Sequence, residues 1–219
     1  RDRARELSVD AMDDEETLGM AFGTLVGEFM RTQVVPEVDA YRFSTYAGWS
    51  GIGAATPTTL TSNTVLAAID AAHDDMNTYE VPKEGRLLFV SDPVNSMIKA
   101  ALTRQWGNER GPDRRVENLD GTPVIPVPQA RFNTEIALNA GSTTDAGGFA
   151  TVGEDINFLL IHPTAVLQAT KHAPLKIFDP SVNQSKDAYM FQYRLYHDAF
   201  VYDNKVKGVY LHAKAEAGS

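Results

Sequence analysis

The residues of this 219-residue chain with the most latitude for chemistry are its five histidines, His73, His162, His172, His197 and His212. A helical zinc site would need two histidines four apart with a glutamate beside the first, and no His-Glu-x-x-His occurs. His197 and Asp198 are neighbours in an extended stretch, so their side chains point to opposite faces. His162 precedes Pro163 and reads as a helix cap or a buried polar hinge. No Gly-x-Ser-x-Gly elbow offers a serine nucleophile. A triad is assembled in space, however, so a soluble hydrolase stays open on residue types alone.

Other stretches imitate sites. Asp13, Asp14, Glu15 and Glu16 have the composition of a metal cluster. Their place ahead of an apolar helical pattern explains them better as capping and dipole-stabilising residues. Asp74-Asp75 reads as a solvated pair, or as one facing a neighbour's arginine. Arg110, Arg114 and Arg115 give the polar stretch Trp106 to Glu117 a basic character, suited to a solvated loop or to contact with an acidic neighbouring subunit. Gly48, Gly51 and Gly53 come near a phosphate loop, but no Lys-Ser or Lys-Thr follows and no strand precedes them. The aromatic face Tyr189, Phe191, Tyr193 and Leu195 could stack bases. Basic residues are sparse there, so packing against a helix is the better reading. No residue is assigned a catalytic, cofactor-binding or metal-binding role, and the chain does not read as an enzyme.

Composition narrows the class. The hydrophobic content of 43% supports a real core, in one domain or two small ones. Twenty Lys and Arg against 29 Asp and Glu give −9, which disfavours a general nucleic-acid binder. Cysteine is absent, which excludes disulfides and thiolate metal sites. No apolar run approaches the roughly 18 residues of a membrane span, and no signal peptide is visible. The chain opens on RDRARELSVD with no Met, and reads as a mature fragment.

The elements that would position these residues are led by a long helix. Leu18, Phe22, Leu25 and Phe29 form one apolar stripe, widened by Val26 and Met30. From Asp14 to Val34 the helix would be about 30 Å long. Pro36 then forces a kink or a new start, with a second helical pattern over Glu37 to Tyr46. Arg1 to Asp10 alternates like a strand, whose partner is expected from an upstream segment. Thr64 to Asn77 is a helix capped by Ser62 or Asn63. Arg86 to Ser91 and Ile156 to Ile161 are buried strands, followed by helices from Asp92-Pro93 and over Thr164 to Thr170. Asp120-Gly121 is a hairpin turn, and TPVIPV after it an edge or interrupted strand. Asn139 to Gly153 reads as loop, and Leu175 to Phe178 as a brief strand. Ala188 to Tyr202 is extended and returns through Asp203-Asn204 as Lys205 to His212, an antiparallel ribbon. The class is α+β.

Four stretches carry a resemblance. SVDAMDDEETLGMAFGTLVGEFMRTQVVPEVDAYRF (Ser8 to Phe43), GTPVIPVPQARF (Gly121 to Phe132), INFLLIHPTAVLQATKH (Ile156 to His172) and AYMFQYRLYHDAFVYDNKVKGVYLH (Ala188 to His212) resemble the major capsid proteins of tailed bacteriophages. The resemblance implies a peripheral domain with a long spine helix, Asp14 to Val34, beside a β ribbon, and an axial domain of a sheet flanked by short helices. Residues 1–57 would belong to the peripheral domain. Residues 58–172 would be mainly axial, and 173–219 would supply strands returning to both regions. It implies a structural protein that assembles with copies of itself, in pentamers and hexamers, into an icosahedral head shell. Scaffold and portal proteins would be partners, DNA would be enclosed without specific recognition, and no membrane would be involved. The virion capsid would be its location, after assembly in the bacterial host cytoplasm. The family's N-terminal arm and extended loop are missing apart from a returning strand, Arg1 to Val9. The chain alone is therefore expected to be a soluble monomer or small oligomer. No Lys–Asn crosslinking pair is assigned. Encapsulin-type compartment shells share the fold and are the nearest alternative.

Overall fold

The computed structural model describes residues 1–10, 12, 20–102, 116–141, 147–172 and 175–215. The chain divides into two compact units, one of Arg1–Asp39 with Gln168–Ala199 and one of Ala40–Leu167 with Phe200–Ser219. The sequence expectation drew its lines at residues 57 and 172. The packing draws them inside a helix and two strands, where no loop or change of composition marks a boundary.

The first unit begins with β1 (Asp2–Asp10) and the helical segments α1 (Met20–Phe29), a π-helical stretch Met30–Val34, and α2 (Val35–Ala47), which starts in this unit. The sequence reading placed one helix over Asp14 to Val34 and a kink or new start at Pro36. The helix instead runs on through Pro36 to Ala47. Proline has no N–H for the carbonyl four residues back, and its ring crowds that carbonyl. The π turn just before it widens the ladder by one residue: the Val35 N–H reaches Met30 O. Residues 13–19, which hold the acidic cap and Leu18, lie outside the described residues, as does the side chain of Phe22. Leu25 is 39% exposed, and no residue of Met30–Val34 is buried. Of the expected stripe, Phe29 is shown packing on the ribbon, edge-on to Phe191 and Tyr193 at 6.5 and 6.3 Å between ring centroids.

That ribbon is β11 (Ala188–Val201), flanked by β1 and by β10 (Leu175–Phe178), with β9 (Val166–His172) also pairing β11. The partner of β1 therefore comes from far downstream. Asp2 faces Tyr196 and Asp10 faces Ala188, in unbroken antiparallel register. Alternation along Arg1 to Asp10 announces a strand but carries no information on its mate, and among the described residues that mate is β11. Arg3 spans from β1 to Glu37 with two charge-assisted hydrogen bonds, 2.6 and 2.9 Å.

The second unit holds a six-stranded sheet. Its members, besides β8 (Ile156–Ile161) at the centre, are β2 (Gly53–Ala54), β3 (Leu87–Ser91), β4 (Asn118–Leu119), β5 (Thr122–Val127) and β12 (Val209–Ala213), in the order β2-β12-β8-β3-β5-β4. Every residue of β8 is buried, because the strand is paired on both edges and covered on both faces. On one face Leu88, Val90, Phe158 and Leu160 pack with Ile69 and Met76 of α3 (Val65–Thr78) and with Val94 and Ile98 of α4 (Asp92–Ala101). Phe89, one residue out of phase, meets Phe43 at 5.3 Å, and Phe43 meets Phe132 at 5.0 Å. The Asp120-Gly121 turn forms as expected, with both residues at positive φ (49° and 80°) in the hairpin β4–β5. β5 lies parallel to β3 and, among the described residues, is met on its other side by the two-residue β4. It is thus the next-to-last strand rather than an edge.

Three sequence readings fail here. Thr164 to Thr170 is not a helix: a 3-10 turn, Pro163–Ala165, leads straight into β9, and Leu167 is exposed. Val166 and Thr170 are β-branched, and strand pairing overrides the helical spacing. Asp203–Gly208 is a 3-10 turn, and β12 pairs with β8 and β2, so Ala188 to Tyr202 and Lys205 to His212 do not form a hairpin. A Cβ on Gly208 would lie 2.7 Å from the Ala165 Cβ, so only glycine permits that crossing. Within Asn139 to Gly153, β7 (Gly148–Thr151) pairs with β6 (Ile136–Asn139).

Candidate functional site

The arrangement closest to a catalytic triad joins Thr58, His212 and Asn157. Thr58 Oγ1 lies 3.3 Å from His212 Nε2, and Asn157 Nδ2 lies 3.1 Å from His212 Nδ1. His212 and Asn157 are buried, and the imidazole stacks on Phe158 at 4.9 Å. Asn157 Nδ2 also donates to Thr58 O at 3.0 Å and to Ala213 O at 3.2 Å, which fixes the amide with its nitrogen toward the ring. An amide NH2 carries only two hydrogens, and the Thr58 and Ala213 carbonyls engage both, so either ring nitrogen of His212 can hold its proton. Burial holds the imidazole below its ordinary pKa, against the raising effect of the Ala213 and His212 carbonyls. The network ties the loop at Thr58 to the end of β12.

The other histidines have similar tasks. His162 caps the Pro163–Ala165 turn, as one of its two sequence readings expected. Its Nδ1 accepts from the Thr164 N–H, and its Nε2 donates to Glu84 O at 3.1 Å. His73 lies against the guanidinium of Arg86, a fully buried arginine that sequence reading took for the plain start of a strand. Arg86 Nε donates to Pro82 O, and Nη2 donates to Val81 O and Asn77 Oδ1, at 2.6–2.9 Å. Its pKa falls with burial. A lone arginine next to Gly85 after a helix of helix-breaking exit residues was the available signal. His197 is buried in the ribbon, where its N–H donates to Arg1 O. The side chain of His172 lies outside the described residues.

The remaining candidate stretches separate. Gly53 has no room for a side chain: a Cβ would sit 2.7 Å from Asp75 Oδ2 and from the Tyr210 ring. A carboxylate beside the glycines repels phosphate. Arg110, Arg114 and Arg115 lie outside the described residues. Among the described residues no three His, Cys, Asp or Glu side chains gather as metal ligands, and no helix is long and apolar enough to cross a membrane.

The ribbon carries Phe191 and Tyr193 inward, while Tyr196 and Phe200 are exposed. Phe191 and Tyr193 are buried against Phe29, which excludes them from stacking bases. Burial, then the Glu37 carboxylate, pushes the Tyr193 hydroxyl up to about 12. The outward face is polar and cross-linked: Arg194 donates twice to Asp2, at 3.0 and 2.6 Å, and Gln192 Nε2 donates to Glu6 at 3.2 Å. Polar side chains pair across the outer face of the ribbon, and Phe191 and Tyr193 pack inside it.

A helix packed on a ribbon, with a separate six-stranded sheet covered by helices, is the fold of viral capsid subunits, and this chain has it. It is similar to the solved structures titled "Mycobacterium phage Che8" (TM-score 0.67, 12% identity, 97% of this chain and 70% of that one) and "Capsid structure of the Cyanophage P-SCSP1u" (0.64, 12%, 99% and 72%). It is likewise similar to a virus-like particle from Pyrococcus furiosus (0.58, 8%, 97% and 76%). No family model and no curated protein matches the chain.

Proposed function

We propose that this chain is the structural part of a tailed-phage major capsid protein, which assembles with its own copies into an icosahedral head shell around phage DNA. The observation that carries the reading is a likeness over nearly the whole chain, helix, ribbon and sheet together, to chains solved as capsids. The net charge of −9 suits a wall that must not clamp DNA tightly. On this reading the partners are other subunits in pentamers and hexamers, scaffold and portal proteins during assembly, and DNA enclosed without specific readout. The chain works in the virion, having assembled in the bacterial cytoplasm. Purifying particles after nuclease treatment tests the enclosed cargo. Protected genome-length DNA supports the phage shell, and particles holding protein cargo and no DNA support an encapsulin-type compartment instead.

A further inference from the structure

The link from α3 to β3, Tyr79 to Arg86, is held from two sides by imidazoles. On one side Arg86 gathers the carbonyls of Val81 and Pro82, the Asn77 side chain and His73. On the other, His162 Nε2 holds Glu84 O. The His73 contact has only one possible proton arrangement. A guanidinium has donors and no acceptor, so at 3.1 Å His73 Nδ1 must accept from Arg86 Nη1. The ring's proton therefore sits on Nε2, which is buried and has no hydrogen-bond partner among the described residues. A second proton can go only to Nδ1, the atom Arg86 occupies.

We propose that the Val81–Gly85 turn is an acid-released joint, locked by Arg86 while His73 is neutral and loosened when His73 takes a proton. Protonation would set two donors and two positive charges face to face. Arg86 must then give up Nδ1, and with it the geometry that lets the same guanidinium reach Val81 O and Pro82 O. The charged groups around His73 are Arg86 on the strand side, Asp120 in the β4–β5 turn, and Asp70 and Asp74 on its own helix. The three carboxylates offer the freed imidazolium somewhere to turn. Burial and then Arg86 hold His73 below its ordinary value of 6.5, against those carboxylates, so release belongs to acid conditions and the joint is closed at neutral pH. Glu84 keeps its His162 contact, because a protonated imidazole still donates from Nε2. Opening is therefore confined to the helix-exit end. There Glu80 N–H donates to Asn77 O and Val81 N–H to Met76 O, both at 3.0 Å.

Amide hydrogen exchange on the whole protein at about pH 7.5 and about pH 5.5, normalised for intrinsic rates, reads this directly. In the native chain the protection of the Glu80 and Val81 amides should fall roughly tenfold on acidification, as expected for one coupled proton per pH unit. Core amides of β8 should hold theirs. His73→Gln offers an oxygen to Arg86 and takes no proton, so its two amides should change less than about twofold. Equal acid responses in the native chain and His73→Gln, or none in the native chain, would overturn the proposal. Should the variant fold poorly, a 15N titration of the native chain decides. Loss of the Arg86 side-chain N–H signals in step with protonation of His73 supports the joint, and protonation that leaves them unmoved overturns it.

Discussion

Replacing Phe132 by alanine isolates the packing that holds the second unit's sheet against its covering residues. Phe132 is fully buried, 5.0 Å from Phe43 and inclined at 82° to it, and Phe43 in turn leans on Phe89 at 66°. The backbone of Phe132 is engaged separately, accepting from the Ile156 N–H and from Gln129 Nε2, and survives the substitution. What is lost is a buried ring and the cavity it leaves, about 3–5 kcal/mol. Of that, about 0.5–1.5 kcal/mol is the edge-to-face term with Phe43. Phe132→Leu keeps most of the apolar volume and should cost about 1.5 kcal/mol. A double-mutant cycle of Phe43→Leu with Phe132→Leu should return a coupling of about 0.5–1.5 kcal/mol. Urea denaturation followed by tryptophan fluorescence gives each value, provided the slope is unchanged. A loss below about 1 kcal/mol for Phe132→Ala, at unchanged slope, would refute the ring stack.

Arg86→Met strips donors from two carbonyls and a side-chain amide around a fully buried guanidinium, and denaturation should show a loss of about 3 kcal/mol. A change under about 1 kcal/mol would mean that the guanidinium is incidental. In an ultraviolet titration Tyr193 should ionise late, near 12, and Tyr193→Phe should remove that late step. The unfolded hydroxyl loses its proton near 10 and the folded one near 12. The unfolded state then binds fewer protons, so this group lowers stability as pH rises above 10, an effect Tyr193→Phe should abolish. Pro36→Ala restores an N–H inside a helix whose π turn already accommodates the proline, so stability should change by no more than about 1 kcal/mol or rise slightly. A loss above about 2 kcal/mol would contradict that account of the π turn.

The strands that read best from sequence were those whose burial is two-sided and local. Ile156 to Ile161 and Leu87 to Ser91 are mostly apolar because they lie inside the sheet, and Asp120-Gly121 spells its turn in two residues. Pairing was not legible. Nothing in Arg1 to Asp10 names Ala188 to Tyr196 as its mate, and nothing in Lys205 to His212 says that it joins Ile156 to Ile161 rather than its neighbour in sequence. Long-range register depends on the whole fold, and alternation records only which face is buried. Pro36 misled because the rule against proline in helices presumes an unbroken α ladder, and a π turn removes the presumption. Apart from His162, whose place before Pro163 suggested a cap, the histidines were readable as structural only by missing motifs. Their tasks depend on Arg86, Asn157 and Thr58, which are distant in sequence and carry no pattern.

Cryo-electron microscopy of the protein, expressed with whatever residues flank these 219 in its reading frame, bears most directly on the claim that it builds a shell. The account predicts closed particles with five-fold and six-fold clusters of subunits, each subunit carrying the continuous Met20–Ala47 helix and the β1–β11–β10 ribbon in the wall. A discrete small oligomer that never closes, under conditions where the protein is folded and at micromolar concentration or above, would contradict it.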